Sequence, residues 1–153
     1  MAGEVKRFKR VLHVREVERQ ITQGELAEKM REESDIMQRL DAIQTERDRA
    51  LDDFCSDRDS VISPQQLWFE RQSIDVIERT LDSGKQELAS CRQQIEETKV
   101  VLVEKHRNVQ LMEKHVEKLV DRDHKLVLAL EQNNLDDIAS KRFIRSRREE
   151  APA

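Results

Sequence analysis

Aliphatic residues recur at every seventh position through the second half of this chain. Two interleaved series of this spacing begin at Leu67 and Glu70. The first series is Leu67, Ile74, Leu81, Leu88, Ile95, Leu102, Val109 and Val116, and the second is Glu70, Ile77, Gly84, Cys91, Thr98, Lys105, Met112 and Leu119. Such series form the a and d positions of a coiled-coil seam, so the pattern predicts a helix from about residue 64 to 132 or further.

The first half of the chain contains a rougher version of the same pattern. Its seam positions are Val5, Phe8, Leu12, Arg15, Arg19, Thr22, Leu26, Lys29, Glu33, Ile36, Leu40, Ile43, Arg47, Ala50 and Phe54. The pattern predicts a first helix over about residues 5–55. Because charged residues interrupt the apolar series, this helix is expected to be the less stable of the two. A weak seam also leaves room for rearrangement when a partner binds.

The two helical patterns are separated by the segment "CSDRDSVISP", which predicts a hinge at residues 56–63. Ser63 suits the N-cap of a new helix, Pro64 suits its first position, and Gln66 falls where a capping box places Glu or Gln. A proline also disfavours helical geometry in the residue before it. A short connection favours antiparallel neighbours. The predicted fold is all-α: one long antiparallel two-helix coiled-coil hairpin covering residues 1–153.

The second helix is predicted to be longer than the first, so its C-terminal part overhangs. Antiparallel packing places Phe8 beside the Val109 to Val116 region and leaves helix 2 without a partner beyond about Leu119. This part is apolar, with Leu126 and Leu130 as candidate binding residues, and an uncovered apolar stripe indicates a binding or self-association surface. A folded-back tail is the simpler alternative. A basic tail over residues 133–153 follows, and either Asn134 caps a short last helix or helix 2 continues.

An aromatic pair, Trp68 and Phe69, directly follows the hinge and forms part of the candidate tip site with Ser63 and Pro64. The two rings fall one and two positions after the seam residue Leu67, where side chains of a two-stranded coiled coil face outward. Two interpretations remain open. Val61 and Ile62 fold back over the rings and seal the hinge, or the rings stay exposed and anchor a partner.

Composition agrees with a helical interaction protein. Charged residues make up 39% of the chain, the net charge is only −4, and there are three glycines, as is typical of long helices and coiled coils. Disorder is the alternative for so charged a chain, and the heptad pattern argues against it. Basic residues concentrate in residues 1–10 and 141–150, which favours an acidic partner surface. No apolar run is long enough to cross a bilayer and no signal peptide is recognisable, so we expect a cytoplasmic protein without direct membrane insertion.

The sequence offers no chemistry for catalysis. His106, His115 and His124 are nine residues apart, so neighbours in this series face opposite sides of a helix and cannot share a metal. Cys91 occupies a seam position, and Cys55 lies near the hinge, roughly tens of ångströms from Cys91 along the predicted rod, which is too far for a disulfide. The glycines are isolated and form no phosphate-binding loop. We expect no catalytic residue, metal, cofactor or small-molecule substrate, no nucleic-acid partner, and no enzyme activity.

Three blocks of the sequence together resemble the FliJ/YscO family of type III secretion. They are "RFKRVLHVREVERQ" near the start, "LWFERQSIDVIERTL" in the middle and "LDDIASKRFIR" near the end. The resemblance covers nearly the whole chain. It implies a stalk-like coiled coil that inserts the end where the two termini meet into the pore of a hexameric export ATPase. It further implies contact with the export gate protein, escort or recycling of export chaperones, and a peripheral location at the secretion apparatus.

The resemblance also implies which residues bind the ATPase. Matched block by block, the inserted end contains Phe8, Arg10, Leu12 and Arg15 with Leu135, Asp136, Ile138, Arg142 and Phe143. One segment departs from the family. Flagellar members often carry aromatic residues late in helix 1, and the corresponding "AIQTERDRAL" has none. This departure puts the gate contact in doubt and favours the virulence branch slightly.

The leading functional hypothesis is therefore a non-catalytic export-apparatus stalk. The alternative is a generic coiled-coil scaffold that self-associates through the overhanging apolar stripe. A protein that binds acidic lipid or nucleic acid through its basic end is a third class, which would show steeply salt-dependent binding.

Overall fold

The computed structural model describes residues 2–56 and 62–151, except for the side chain of Ala2. Two helices account for nearly all of these residues: α1 spans Ala2–Ser56 and α2 spans Pro64–Glu150. The protein is an all-α helical hairpin, which confirms the predicted fold class. The hinge predicted at 56–63 falls mostly on residues 57–61, which lie outside the described residues.

Helix α2 begins at Pro64 because the local sequence caps it there. The backbone N–H of Gln66 donates to Ser63 Oγ at 3.3 Å, and the backbone N–H of Leu67 donates to the Ser63 carbonyl at 3.2 Å. These bonds satisfy donors that the first turn of a helix otherwise leaves unpaired, and Pro64 itself has no N–H to satisfy. The predicted N-cap is confirmed.

Helix α2 does not stop at Asn133 and Asn134 but continues to Glu150. Asparagine costs a helix less than about 1 kcal/mol, and no glycine or proline occurs between Gly84 and Pro152. Nothing in this stretch therefore breaks the helix. The segment predicted as a basic tail belongs to α2 as far as Glu150.

Backbone contacts divide the chain into two compact units, each with one segment of α1 and one of α2. Unit 2 is Arg19–Glu104. Its core is formed by Ile36, Cys91 and Ile95, against which the half-buried leucines Leu26, Leu40 and Leu88 pack. Arg92 Nε donates to Glu33 Oε1 at 2.9 Å, and Arg39 Nη2 donates to Glu87 Oε1 at 3.3 Å. These pairs join the helices in antiparallel order, since the α1 partner number rises as the α2 number falls.

Unit 1 contains the described residues up to Glu18 and those from Lys105 onward. Val109 is completely buried, and Val116 and Leu119 are nearly so. The rings of Phe8 and His115 meet edge to face with centroids 4.6 Å apart, which confirms that Phe8 lies beside residues 109–116. Lys105 Nζ also donates to Glu18 Oε2 at 3.4 Å.

The predicted seam is the buried surface in both units. Every seam position of α1 is buried or half-buried, and so is every predicted seam position of α2 except Leu67, at the start of α2. Some polar residues at these positions have partners, whereas the buried Glu70 Oε2 has none among the described residues. Lys29 Nζ donates to Thr98 Oγ1 at 3.3 Å, and that hydroxyl donates to the Gln94 carbonyl at 2.8 Å. A satisfied polar group costs far less than an orphaned one, so a paired interruption such as Lys29 is compatible with the seam.

Two glycines in unit 2 provide a test of the packing. A Cβ added to Gly24 meets nothing within 4 Å, whereas one added to Gly84 would overlap the side chain of Leu40. Gly24→Ala is expected to raise the free energy of unfolding by about 0.5–1 kcal/mol, because alanine is the better helix former. Gly84→Ala gains the same propensity but overpacks the seam, which typically costs about 1–3 kcal/mol. Urea unfolding followed by circular dichroism measures both, and equal stabilisation would contradict the close packing at Gly84.

Candidate functional site

The candidate site is the part of α2 that α1 does not cover. Arg122 Nη2 donates to Glu4 Oε2 at 2.9 Å, close to the start of α1. From His124 to Ala151, every described residue is exposed. We call residues 124–150 the overhang. The overhang predicted from the sequence is present, and it is helical throughout.

The ion pair between Glu4 and Arg122 marks the end of the covered part of α2. The hydrogen bond from Arg122 holds the pKa of Glu4 below its ordinary value, and the same bond raises the pKa of Arg122. The pair therefore favours the folded state above the ordinary pKa of a glutamate, and this contribution is lost as the pH falls through the lowered value. Both side chains are about half exposed, so the pair sets the position of the start of α1 along α2 more than it stabilises the fold.

One apolar face of the overhang continues the seam. Leu126 follows the buried Leu119 by seven residues, and Leu130 follows Leu126 by four, so all three lie on one side of α2. Leu119 is buried, whereas Leu126 and Leu130 are exposed. The seam therefore extends beyond the helix that fills it.

A second apolar face lies on the other side of the same helix. Leu128 is two residues from Leu126, a rotation of about 200°, and Leu135 repeats the direction of Leu128 seven residues later. Ile138 and Phe143 flank this direction on either side, and all four side chains are exposed. A helix that is apolar on opposite sides is typical of one that becomes surrounded by protein.

The end of the overhang is basic. Its cations are Lys141, Arg142, Arg145, Arg147 and Arg148. The Arg147 guanidinium carbon lies 5.6 Å from the centroid of the Phe143 ring, a cation–π arrangement that orients both groups. Lys141 is nineteen residues beyond Arg122, or about 28 Å of helix, so this cluster lies well past the basic N-terminal residues of α1.

The α1 residues that the resemblance assigns to the ATPase-binding end are in different environments. Phe8, Leu12 and Arg15 are half-buried in the seam, and Arg10 is exposed. Arg15 Nη1 lies 3.5 Å from Glu18 Oε2. Of the assigned α2 residues, Leu135, Asp136, Ile138, Arg142 and Phe143 are all exposed in the overhang. Partner binding by either set stays a prediction.

The aromatic pair after the hinge is open to solvent. Trp68 is 59% exposed and Phe69 65% exposed, and their rings meet edge to face with centroids 5.2 Å apart. Together with Pro64 and Gln65 they line an open cavity of about 550 Å³. Ile62 is half-buried, whereas Val61, the other residue predicted to cover the rings, lies outside the described residues.

His115 packs on Phe8 in unit 1, and the sequence pattern did not predict this contact. Its position directly before the seam residue Val116 was the available signal.

Within residues 2–56 and 62–151, no three His, Cys, Asp or Glu side chains gather closely enough to hold a metal ion. A search of the described helices also finds no segment that is long and apolar enough to span a membrane.

These features define a class of protein, the antiparallel helical hairpin with a long uncovered apolar segment. The particular family follows from comparison with known proteins. The family model described as "Flagellar FliJ protein" matches residues 5–148, so the chain belongs to the FliJ family. Searches of curated proteins and of solved structures return no match.

Family membership makes this protein a component of flagellar type III export. It also confirms the resemblance drawn from the three sequence blocks. The slight preference for the virulence branch, based on the lack of aromatic residues in "AIQTERDRAL", receives no support from this match and stays a prediction.

Proposed function

We propose that this protein is a non-catalytic, cytoplasmic stalk of the flagellar export apparatus. In this function its overhang inserts into the central pore of the hexameric export ATPase, and the hairpin links that ring to the export gate protein. Escort or recycling of export chaperones belongs to the same proposal. These partners are what the family resemblance implies, and the geometry of the overhang favours the first of them.

The observation that carries the proposal is the pair of opposed apolar faces on the uncovered helix. A groove on a partner surface would cover only one of them and leave the other in water. A ring-shaped partner covers both, because its subunits approach the helix from all sides. Burying the two faces removes apolar area from water. Each Å² removed stabilises the complex by about 25 cal/mol, and this free energy drives the insertion.

The basic end of the overhang supports the same direction of insertion. Five cations within residues 141–148 form the leading end of the helix. Cations near a helix C-terminus are stabilised by the helix dipole and attract an acidic partner surface. We expect the entrance or interior of the partner ring to be acidic.

The test is ATP hydrolysis by the cognate hexameric export ATPase, measured with increasing amounts of this protein. Addition is expected to raise turnover, and removal of residues 133–153 is expected to abolish the increase. The double variants Leu126→Glu/Leu130→Glu and Leu128→Glu/Leu135→Glu place charges on opposite faces. Each is expected to raise the concentration for half-maximal stimulation about tenfold or more, because each buried side chain contributes on the order of 1 kcal/mol.

Val100→Glu/Val103→Glu is the matched control, because both valines are exposed on α2 outside the overhang. It should stimulate hydrolysis like the wild type, and all the variants should melt at nearly the same temperature since surface changes rarely exceed about 0.5 kcal/mol. An unchanged rate of hydrolysis on addition of the wild type contradicts the proposal. If stimulation of hydrolysis is weakened in only one of the two overhang double variants, the partner does not encircle the helix and the proposal is contradicted.

A second candidate function is a scaffold that self-associates through the same overhang. The seam-side face of Leu126 and Leu130 favours it, since a second copy can fill the place that α1 leaves open. Light scattering then gives twice the monomer mass at micromolar concentration, and the Leu126→Glu/Leu130→Glu variant restores the monomer.

A further inference from the structure

The surface of unit 2 has two flanks of different chemistry on either side of the seam. One flank contains the exposed methionines Met30 and Met37 of α1 and the cations Lys85, Arg92 and Lys99 of α2. We call these five residues the methionine flank. In each helix they directly follow a seam position, and they repeat every seven residues.

The contacts between the helices place these side chains on one surface. Arg92 Nη2 lies 3.9 Å from Met37 Sδ, while Arg92 Nε bonds to Glu33. A second contact between the helices, the bond between Lys29 and Thr98, lies one heptad further along. The residues that directly follow this pair are Met30 in α1 and Lys99 in α2. Apolar and cationic side chains therefore run side by side along the flank.

The methionines are open to solvent although they border the buried seam. Met30 is 46% exposed and Met37 48% exposed. Lys85 has no hydrogen-bond or ion-pair partner among the described residues, and the partner of Lys99 is Glu96 of the same helix at 3.2 Å. The flank thus offers flexible apolar side chains together with three exposed cations. An incoming anion can pair with Lys85 directly, and it competes with Glu33 for Arg92 and with Glu96 for Lys99.

The opposite flank has the reverse character. It contains an open groove of about 630 Å³ lined by Glu32, Asp35, Glu87 and Arg39, among others. Arg39 is already paired with Glu87 at 3.3 Å, which leaves Glu32 and Asp35 as the acidic groups there. An acidic segment would be repelled from this side and attracted to the methionine flank.

We propose that the methionine flank is a docking surface for an acidic amphipathic helix of a partner protein. A third helix aligned with the hairpin repeats its side chains every seven residues, as the flank does, so its apolar stripe covers Met30 and Met37. Glutamates that border this stripe pair with Lys85, Arg92 and Lys99. The surface lies in unit 2, apart from the overhang, and its function does not depend on the ATPase proposal.

The test uses a fluorescein-labelled synthetic helix of three heptads, with leucine at its a and d positions and glutamate at e and g. Fluorescence anisotropy is expected to show saturable binding to the full chain that weakens at least about fivefold between 50 and 300 mM salt, because the flank is exposed to screening. Met30→Glu/Met37→Glu is expected to weaken binding about tenfold or more. A matched peptide with lysine in place of glutamate should not bind.

Val76→Glu/Val101→Glu is the control protein, since both valines are exposed on unit 2 and lie on the side of α2 opposite the flank cations. It should bind the acidic peptide like the wild type, and circular dichroism should show that both double variants are folded. Equal loss in the control, equal binding of the lysine peptide, or no binding at all would overturn the proposal. Light scattering could also show that the wild type is a dimer and that Met30→Glu/Met37→Glu is a monomer. That result would overturn the proposal, because the flank would then bind a second copy of this chain.

Discussion

Replacing Val109 by aspartate is expected to abolish cooperative folding of unit 1. Val109 is 0% exposed and lies at the seam between the two helices. A carboxylate there must either lose its hydration or be protonated, and an unpaired buried charge costs several kcal/mol. That cost is comparable with the roughly 5–15 kcal/mol that stabilises a whole domain. Loss of helical signal on mild heating, followed by circular dichroism at 222 nm, measures the effect.

Leu111 provides the matched control for this substitution. It lies two residues away on the same helix and is 67% exposed, so Leu111→Asp is expected to change the free energy of unfolding by no more than about 0.5 kcal/mol. If Val109→Asp does not fold, Val109→Ala gives a measurable intermediate, with a cost of about 1–3 kcal/mol from lost packing. Similar stability of the Val109→Asp and Leu111→Asp proteins would refute the burial of the seam in unit 1.

The two cysteines are expected to differ in thiol reactivity by about a hundredfold or more. Cys55 is exposed, whereas Cys91 is buried in the core of unit 2, with its Sγ 3.6 Å from the Lys29 carbonyl. A reagent reaches Cys91 only when the helices separate locally, and such opening in a core is rare. Ellman's reagent at neutral pH measures the rates in the single-thiol proteins made by Cys55→Ser and Cys91→Ser.

The protonation of Cys91 adds a pH dependence with a definite sign. Burial raises the pKa of this thiol, and the nearby carboxylates Glu32 and Glu33 raise it further. Because the folded state disfavours the thiolate, the stability associated with the neutral thiol is present below the unfolded pKa of cysteine. It is lost progressively as the pH rises above that value. Urea unfolding measured as a function of pH should show a smaller alkaline loss of stability in Cys91→Ala than in the wild type. In the labelling experiment with Ellman's reagent, equal rates for the two thiols would refute the core position of Cys91.

The sequence was sufficient to predict the helices, their seam and the N-cap of α2. Heptad spacing works here because one direction of each helix is buried along its whole covered length, as at Ile74, Leu81 and Ile95. The cap at Ser63 depends only on neighbouring residues, so it too can be inferred locally. The end of α2 could not be fixed in advance, because the small helix penalty of Asn133 and Asn134 is outweighed by the good helix formers on both sides.

The candidate site was predicted only in part. The overhang follows from unequal helix lengths, and Leu126 and Leu130 follow from the seam repeat. The second apolar face joins Leu128 to Leu135 across Asn133 and Asn134, so recognising it requires the knowledge that the helix continues through these asparagines. The assignment by family blocks also grouped Phe8 and Leu12 with the open surface, although both contribute to the seam. A motif match cannot distinguish a side chain that holds two helices together from one that meets a partner.

The contacts of Phe8 with His115 and of Glu4 with Arg122 also set a length. If α1 slipped along α2 by one heptad, the uncovered segment would grow or shrink by seven residues, about 10 Å. Such a slip would separate an aromatic pair and an ion pair together. These two contacts therefore fix the register of the two helices, and the register determines how far the free end of α2 can reach.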